Sequence, residues 1–436
     1  MNVSFLSKSR GLSNLVSRIF TVLSRFGISS KKFENRLKRY FEVVHGAGYL
    51  PTFAITAVVL DRHPDCIKEL SQKGVEFAVH GYVHIDYKVA SREKKDNHFK
   101  KAISIFKMRE IPFAGFRAPF LRTDANTSPV LSDNGFLYNS SRALCWPIVD
   151  INKLSGYRQN NFNSLMEFYK PLQAEEYVSL PRFENGLVEI PVSIPDDEAI
   201  LERLGISDEK KIADIWLDIL KRTYDNGELF VLSLHPERFD YCETGLRETL
   251  QKAKEPNPPV WVATLKEIAE WWREKNKFIF EIQSQGGGGY RVKAECSERA
   301  TILVKNVEIH GPTDRWFDDY RCVTARDFIL ESQKRPVIGV GADSCTAVIK
   351  FLQSEGYIID SNSKGEDCGL FLENLQQFGE ADKKALLGQI EKSNAPMLRY
   401  WRWPNQARSA LSVTGDIDSM TLSDFVLRIL ENKFKK

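Results

Sequence analysis

The sequence predicts an α/β fold. Short apolar runs rich in β-branched and aromatic residues take turns with amphipathic helical stretches over about the first 240 residues. Gly, Pro and Asp punctuate the boundaries, and three of the seven histidines fall at or just past the ends of apolar runs.

In chain order, residues 31–48 read as a helix and PTFAITAVVL, from Pro51, as a β-rich run bounded by Gly48 and Asp61. HPDCIKELSQKG reads as a helix ending at Gly74, VEFAV as a strand, SREKKDNHFKKAISIFKMRE as a long amphipathic helix and PFAGFRAPF as a strand. LVEIPVSI and LFVLSLH are further apolar runs, separated by the helix-patterned DEKKIADIWLDILKRTYDNG. Such alternation implies parallel strands joined by crossover helices, as an open sheet or a barrel. The pattern breaks at SQGGGGYRV, where Gly286 to Gly289 read as a flexible hinge opening a new domain. Beyond it, residues 290–323 read as short strands and RPVIGVGADSCTAVIKFLQSEGYIIDSN as strand, turn, helix, strand. RSALSVTGDIDSMTLSDFVLRILENKF is again a strand, a polar turn and a helix, with Thr421 or Ser423 as its cap.

The length of 436 residues fits two or three domains, and 42% hydrophobic with 27% charged residues excludes a disordered or fibrous chain. Sixty-one Lys plus Arg against 58 Asp plus Glu leave a net charge of +3, without the basic excess that marks a nucleic-acid partner. The seven cysteines are scattered with no C-x-x-C pair, so free buried thiols in a reducing compartment are expected. No run approaches the roughly 18–20 apolar residues that span a bilayer, and the start lacks a secretory core with a small-residue cleavage site, so a cytoplasmic protein is expected. Residues 1–30 carry Leu15, Ile19, Phe20, Leu23 and Phe26 at helical spacing among basic residues. The reading is a helix docked on its own domain, with peripheral membrane contact as the alternative.

Chemistry concentrates at strand ends. His80 and His84 sit four apart after VEFAV, where a loop or first helical turn would bring both imidazoles to one face, as a metal requires. GFRAPFLRTD places Arg117, Pro119 and Phe120 at the end of another strand, and LFVLSLHP ends in His235. Each is readable alone as packing or a turn; their recurrence at equivalent positions singles them out.

In order, PTFAIT, His80-G-Y-V-His84, Arg117-A-P-Phe120 and Leu232-S-L-His235 resemble the motifs of the polysaccharide deacetylases, metal-dependent carbohydrate esterases, over about Lys32 to Glu237. The family's opening strand with an acidic pair is missing from residues 1–50, whereas ALSVTGDIDSMT near the C-terminus supplies Asp416 and Asp418. The resemblance therefore implies a distorted (β/α) barrel deacetylase domain, circularly permuted: residues 1–276 would form its first part, 407–436 its displaced first strand and helix, and 277–406 an inserted accessory domain of small α/β or α+β type. It further implies Asp418, His80 and His84 as ligands of zinc or another divalent transition metal such as cobalt or iron, with Asp416 as base; either acid of the pair could be the ligand. Arg117 would orient Asp416, the Phe120 N–H would hold an oxyanion, and His235 would be the general acid. Pro119 and Tyr138 would shape the substrate pocket together with Asp197, which, with Asp196, is a candidate to tune His235; Ser140 and Ser141 are read as pocket or core. The implied reaction removes an N-acetyl group from an amino sugar of a glycan or glycan precursor. The rivals are hydrolysis of another carbon–nitrogen bond, such as a cyclic amide, and non-catalytic carbohydrate binding. The oligomeric state is left open. Two other signals are discounted: RPVIGVGADS with Asp360 lacks the third glycine of a dinucleotide fingerprint, with Ser344 in its place, and Trp401 and Trp403 are read as core or interface packing rather than sugar platforms.

Overall fold

The computed structural model describes residues 25–361, 365 and 367–434. The helix read within residues 1–30 lies outside them except from Arg25 onward. The main sheet has nine strands: β1 (Thr52–Ile55), β2 (Glu76–Val79), β3 (Phe113–Phe116), β4 (Tyr138–Asn139), β5 (Arg182–Glu184), β6 (Leu187–Glu189), β7 (Leu229–Leu234), β8 (Val260–Val262) and β9 (Ser409–Ile417). Their order is β7-β9-β1-β2-β3-β4-β6-β5, with β8 also paired to β9. Every pairing is parallel except the β5–β6 hairpin. The sheet is open rather than closed by hydrogen bonds, and it carries the expected α/β architecture.

The expected helices cover it. Helix α1 (Lys31–Gly46) buries Phe33, Leu37, Tyr40, Phe41 and Val44, the apolar stripe of a 3.6-residue repeat. The Tyr40 hydroxyl donates to the Thr414 carbonyl at 2.8 Å, tying α1 to β9. Helices α2 (Arg92–Met108), α3 (Glu209–Asn226), α4 (Phe239–Lys252) and α5 (Leu265–Lys275) fill the crossovers, and α6 (Leu422–Phe434) follows β9. LVEIPVSI is not one strand: Leu187–Glu189 joins the main sheet and Val192–Ile194 a small parallel sheet with Ala143–Cys145 and Leu172–Gln173. All seven cysteines are free. No helix among the described residues is long and apolar enough to cross a membrane.

Between β8 and β9 the chain builds two antiparallel four-stranded sheets and a parallel one of Arg335–Val340, Ile359–Asp360 and Cys368–Leu372. The four glycines expected to be a hinge are instead the turn of a hairpin between Ile279–Gly286 and Gly289–Glu295. Gly286, Gly287 and Gly288 all have positive φ, which glycine adopts without steric cost, so the run satisfies a turn rather than a linker. Trp401 and Trp403 are buried, and the Trp403 indole N–H donates to the Gly227 carbonyl at 2.9 Å, as packing and not as an exposed platform.

All nine residues of β9 are buried. Gly415 is required there: a Cβ would stand 2.9 Å from the Phe53 ring and 3.1 Å from that of Tyr40. Gly415→Val should therefore lower unfolding free energy by about 1–3 kcal/mol through overpacking, read as a fall in the urea midpoint at unchanged slope.

Candidate active site

The register brings the C-terminal ends of the strands into one line. Leu234 pairs with Gly415, Ile417 with Ile55, Ile55 with Val79, Val79 with Phe116, and Phe116 with Asn139. The residue after each end is thus His235, Asp418, His80, Arg117 or Ser140, all on one rim. In parallel α/β folds ligand sites collect on this rim.

Asp418 lies between the two histidines, its Oδ1 3.2 Å from His80 Nε2 and its Oδ2 3.2 Å from His84 Nε2. One ligand atom from each of the three residues lies within 4.8 Å of the others. His84 reaches this position from an irregular loop, one of the two placements expected for it. Its ring meets the Phe120 ring edge-on at 4.5 Å. His80 Nδ1 is 2.8 Å from the Arg117 carbonyl, which can only accept, so Nδ1 carries a proton and Nε2 is the nitrogen turned toward Asp418. Burial pushes His84 down to about 4 against the pull of Asp418, leaving it neutral near pH 7, the form a ligand needs. Asp418 Oδ1 is buried without a hydrogen-bond partner. Two imidazole nitrogens and one carboxylate, its Oδ1 buried and unsatisfied, fit a divalent cation of the zinc type. Asp418 also pairs with Arg428 of α6, a contact with no signal in the sequence.

Beside this cluster, Arg117 is buried and straps four segments together. Its Nη1 donates to Asp416 Oδ1 at 3.0 Å, to Thr414 Oγ1 at 2.8 Å and to Ser233 Oγ at 3.3 Å. Nε and Nη2 donate to the Ser140 carbonyl and hydroxyl, each at 3.1 Å. Asp416 is thereby oriented by a fixed cation. The Ala118 N–H donates to Ser141 Oγ at 2.8 Å, Ser141 donates to Asn139 Oδ1, and Asn139 Nδ2 donates to Glu189 at 2.7 Å. Ser140 and Ser141 therefore position the Arg117–Phe120 segment instead of lining a pocket. Pro119 is buried, and Phe120 has φ +62°, an uncommon conformation for a side-chain-bearing residue. Tyr138, expected near the pocket, is fully buried in the sheet, with its hydroxyl donating to Glu76 Oε1 at 2.6 Å. Glu76 opens β2, so the hydroxyl lies away from the rim.

At the end of β7, the neighbour of β9, His235 is held by Asp197. Its Nδ1 is 2.7 Å from Asp197 Oδ1, and its backbone N–H donates to Oδ2 at 2.7 Å. The two acids of the S-I-P-D-D segment separate: burial and the neighbouring Asp197 charge push Asp196 up to about 7, whereas Asp197, despite burial, is held below the usual carboxylate range by His235. Burial disfavours the imidazolium, but Asp197 outweighs it and holds His235 well above the usual imidazole range.

Residues 30–138 match the family model described as polysaccharide deacetylase. Among curated proteins, the peptidoglycan deacetylase-like protein FGM2 of Gibberella zeae is 28% identical over 127 residues, 29% of this chain and 32% of that protein. The matched region thus spans about a third of that relative's length. Among solved structures, one from Mycobacterium smegmatis described as a polysaccharide deacetylase is 23% identical with a TM-score of 0.44, covering 55% of this chain and 77% of that one. A structure of Puue allantoinase is 19% identical with a TM-score of 0.44, covering 56% and 74%. A family 4 carbohydrate esterase from Streptomyces lividans is 15% identical with a TM-score of 0.24, covering 36% and 71%.

The His235–Asp197 pair sets a pH signature. Asp197, with its pKa lowered by folding, stabilises the native state above its unfolded pKa of about 4 and loses that contribution as pH falls through the folded value. His235, with its pKa raised, stabilises fully below about 6.5 and loses its share as pH rises through the folded value. Asp197→Asn should cost about 3–5 kcal/mol near neutral pH, and the gap from wild type should narrow in alkali as His235 deprotonates. Urea unfolding across pH reads this directly; a gap constant with pH would contradict it.

Proposed function

We propose that this chain, which carries a polysaccharide deacetylase domain within residues 30–138, is a hydrolase that removes an N-acetyl group from an amino sugar of a glycan or glycan precursor. The observation that carries the reading is the meeting of Asp418 with His80 and His84, ligand atoms within 4.8 Å of one another, beside the Arg117–Asp416 pair.

His80, His84 and Asp418 would hold a divalent cation, which when bound supplies Lewis acidity that makes water a stronger acid and polarises an acetamide carbonyl. Asp416, one oxygen fixed by Arg117 at 3.0 Å, takes a proton from the attacking water with the other oxygen. The Phe120 N–H donates to the carbonyl oxygen as charge develops on it. His235, kept protonated by Asp197, gives its proton to the departing amine as the carbon–nitrogen bond breaks. Acetate and a free amino sugar result. The order of elements is read as a circular permutation, with residues 407–436 supplying the strand that carries the acidic pair and 277–406 an accessory insertion. The parallel seat of β9 between β7 and β1 supports this.

Asp416→Asn should reduce acetate release from N-acetylated amino sugars and their oligomers by about a hundred- to ten-thousand-fold while keeping metal content, measured by elemental analysis. His80→Ala should lose both. Full activity of Asp416→Asn, or turnover of cyclic ureides in place of acetylated sugars, would defeat the proposal.

A further inference from the structure

The ion pair between Arg428 and Asp418 is not needed by the chemistry above, yet it sits on one of its proposed ligands. The Arg428 guanidinium contacts Asp418 Oδ2, the oxygen that also faces His84, with side chains 22% and 12% exposed respectively. Oδ1, facing His80, is the buried atom without a hydrogen-bond partner. The guanidinium is held in place from both sides. It lies 5.0 Å from the centre of the Phe425 ring, and its helix is moored at Asp424. That carboxylate accepts the N–H groups of Met420 and Thr421 and pairs with Arg62 at 3.2 Å and His63 at 2.8 Å. Arg62 reaches on to Glu431 at 2.8 Å.

We infer that Arg428 is a resident cation at the candidate metal centre: it neutralises Asp418 when no metal is bound, weakens metal affinity, and reserves Oδ1 as the ligating oxygen. The inference rests on the proposed role of Asp418, His80 and His84. A nearly buried carboxylate is costly without a countercharge, and a guanidinium on Oδ2 supplies one. A dication arriving at the same carboxylate then meets a like charge in a partly desolvated site, where repulsion is poorly screened. With Oδ2 occupied, the carboxylate binds through one oxygen. Arg428 is thus a positioning residue acting through Asp418.

The experiment is Zn2+ titration of chelator-stripped protein, with thermal unfolding of the same samples before and after Zn2+. Arg428→Met and Arg428→Gln remove the charge, Arg428→Lys retains it, and His80→Ala serves as the metal-site control. The two neutral variants should bind Zn2+ about tenfold or more tightly than wild type, melt lower when stripped, and gain more on Zn2+ addition. The Lys variant should stay near wild type. Unchanged or weaker Zn2+ binding in both neutral variants, with wild type binding and His80→Ala not, would overturn this inference alone. Wild type that binds no Zn2+ would overturn the reading beneath it.

Discussion

The backbone pairing of β9 fixes everything at the rim. This strand has neighbours on both edges, β7 on one and β8 then β1 on the other, and its register determines which way each side chain leaves the sheet. Residues two apart point the same way. Thr414 and Asp416 therefore both meet Arg117, while the Ile417 side chain between the acids turns into the core. A slip of one residue would send the acids into the apolar layer and Ile417 to the rim. Gly415, wedged against Phe53 and Tyr40, resists such a slip, because no other residue of the strand fits that gap.

Two ion pairs of different character then stand at the strand ends. Arg117–Asp416 is buried, and Arg117 makes four further hydrogen bonds, to Thr414, Ser233 and twice to Ser140, while Thr414 in turn donates to the Leu232 carbonyl, so the cation is a rigid part of the sheet. Burying charges is tolerated when their remaining donors and acceptors are satisfied. His235–Asp197 joins a strand end to a loop, and there the carboxylate serves both the imidazole and its backbone N–H. The first pair fixes the position of an acid; the second holds a base protonated and fixes its orientation. In the proposed hydrolysis the first would take up a proton and the second deliver one.

Much of this was legible in the sequence, for physical reasons. Strand and helix periodicities named β1, β2, β3 and β7, because strands buried on both faces read as continuous apolar runs. The histidines at strand ends stood out because residues there face the rim. Other features depend on contacts between distant segments. Asp197 was one of two adjacent acids, and only the approach of His235 separates their roles. Tyr138 lay in a segment next to Ser140, but its place in the alternation turns it into the sheet, away from the rim. The glycine run looked like a linker because composition reports backbone freedom, not whether flanking strands pair. Arg428 carried no signal: the nine residues between it and Asp418 include a helix start, whose direction Asp424, Arg62 and His63 decide.

The long segment between β8 and β9 must return the chain in register, and its last residues show how. Arg402 donates to the carbonyls of Asn226 and Gly227, Arg408 to that of Asp225, and Trp271 to that of Arg402, so the return is tied to the C-terminal end of α3 just before β7 begins. Behind it, the buried Glu355 pairs with both Arg399 and Arg402. The closure entropy of a loop grows slowly with its length, so the size of the insertion costs little. What matters is that its exit is fixed, and here the carbonyls at the end of α3, which a helix leaves without internal partners, receive the guanidinium donors that fix it. Because β7 starts from the same point, β7 and β9 are set side by side from their first residues, and His235 reaches the rim opposite Asp416 as a consequence of where their strands begin.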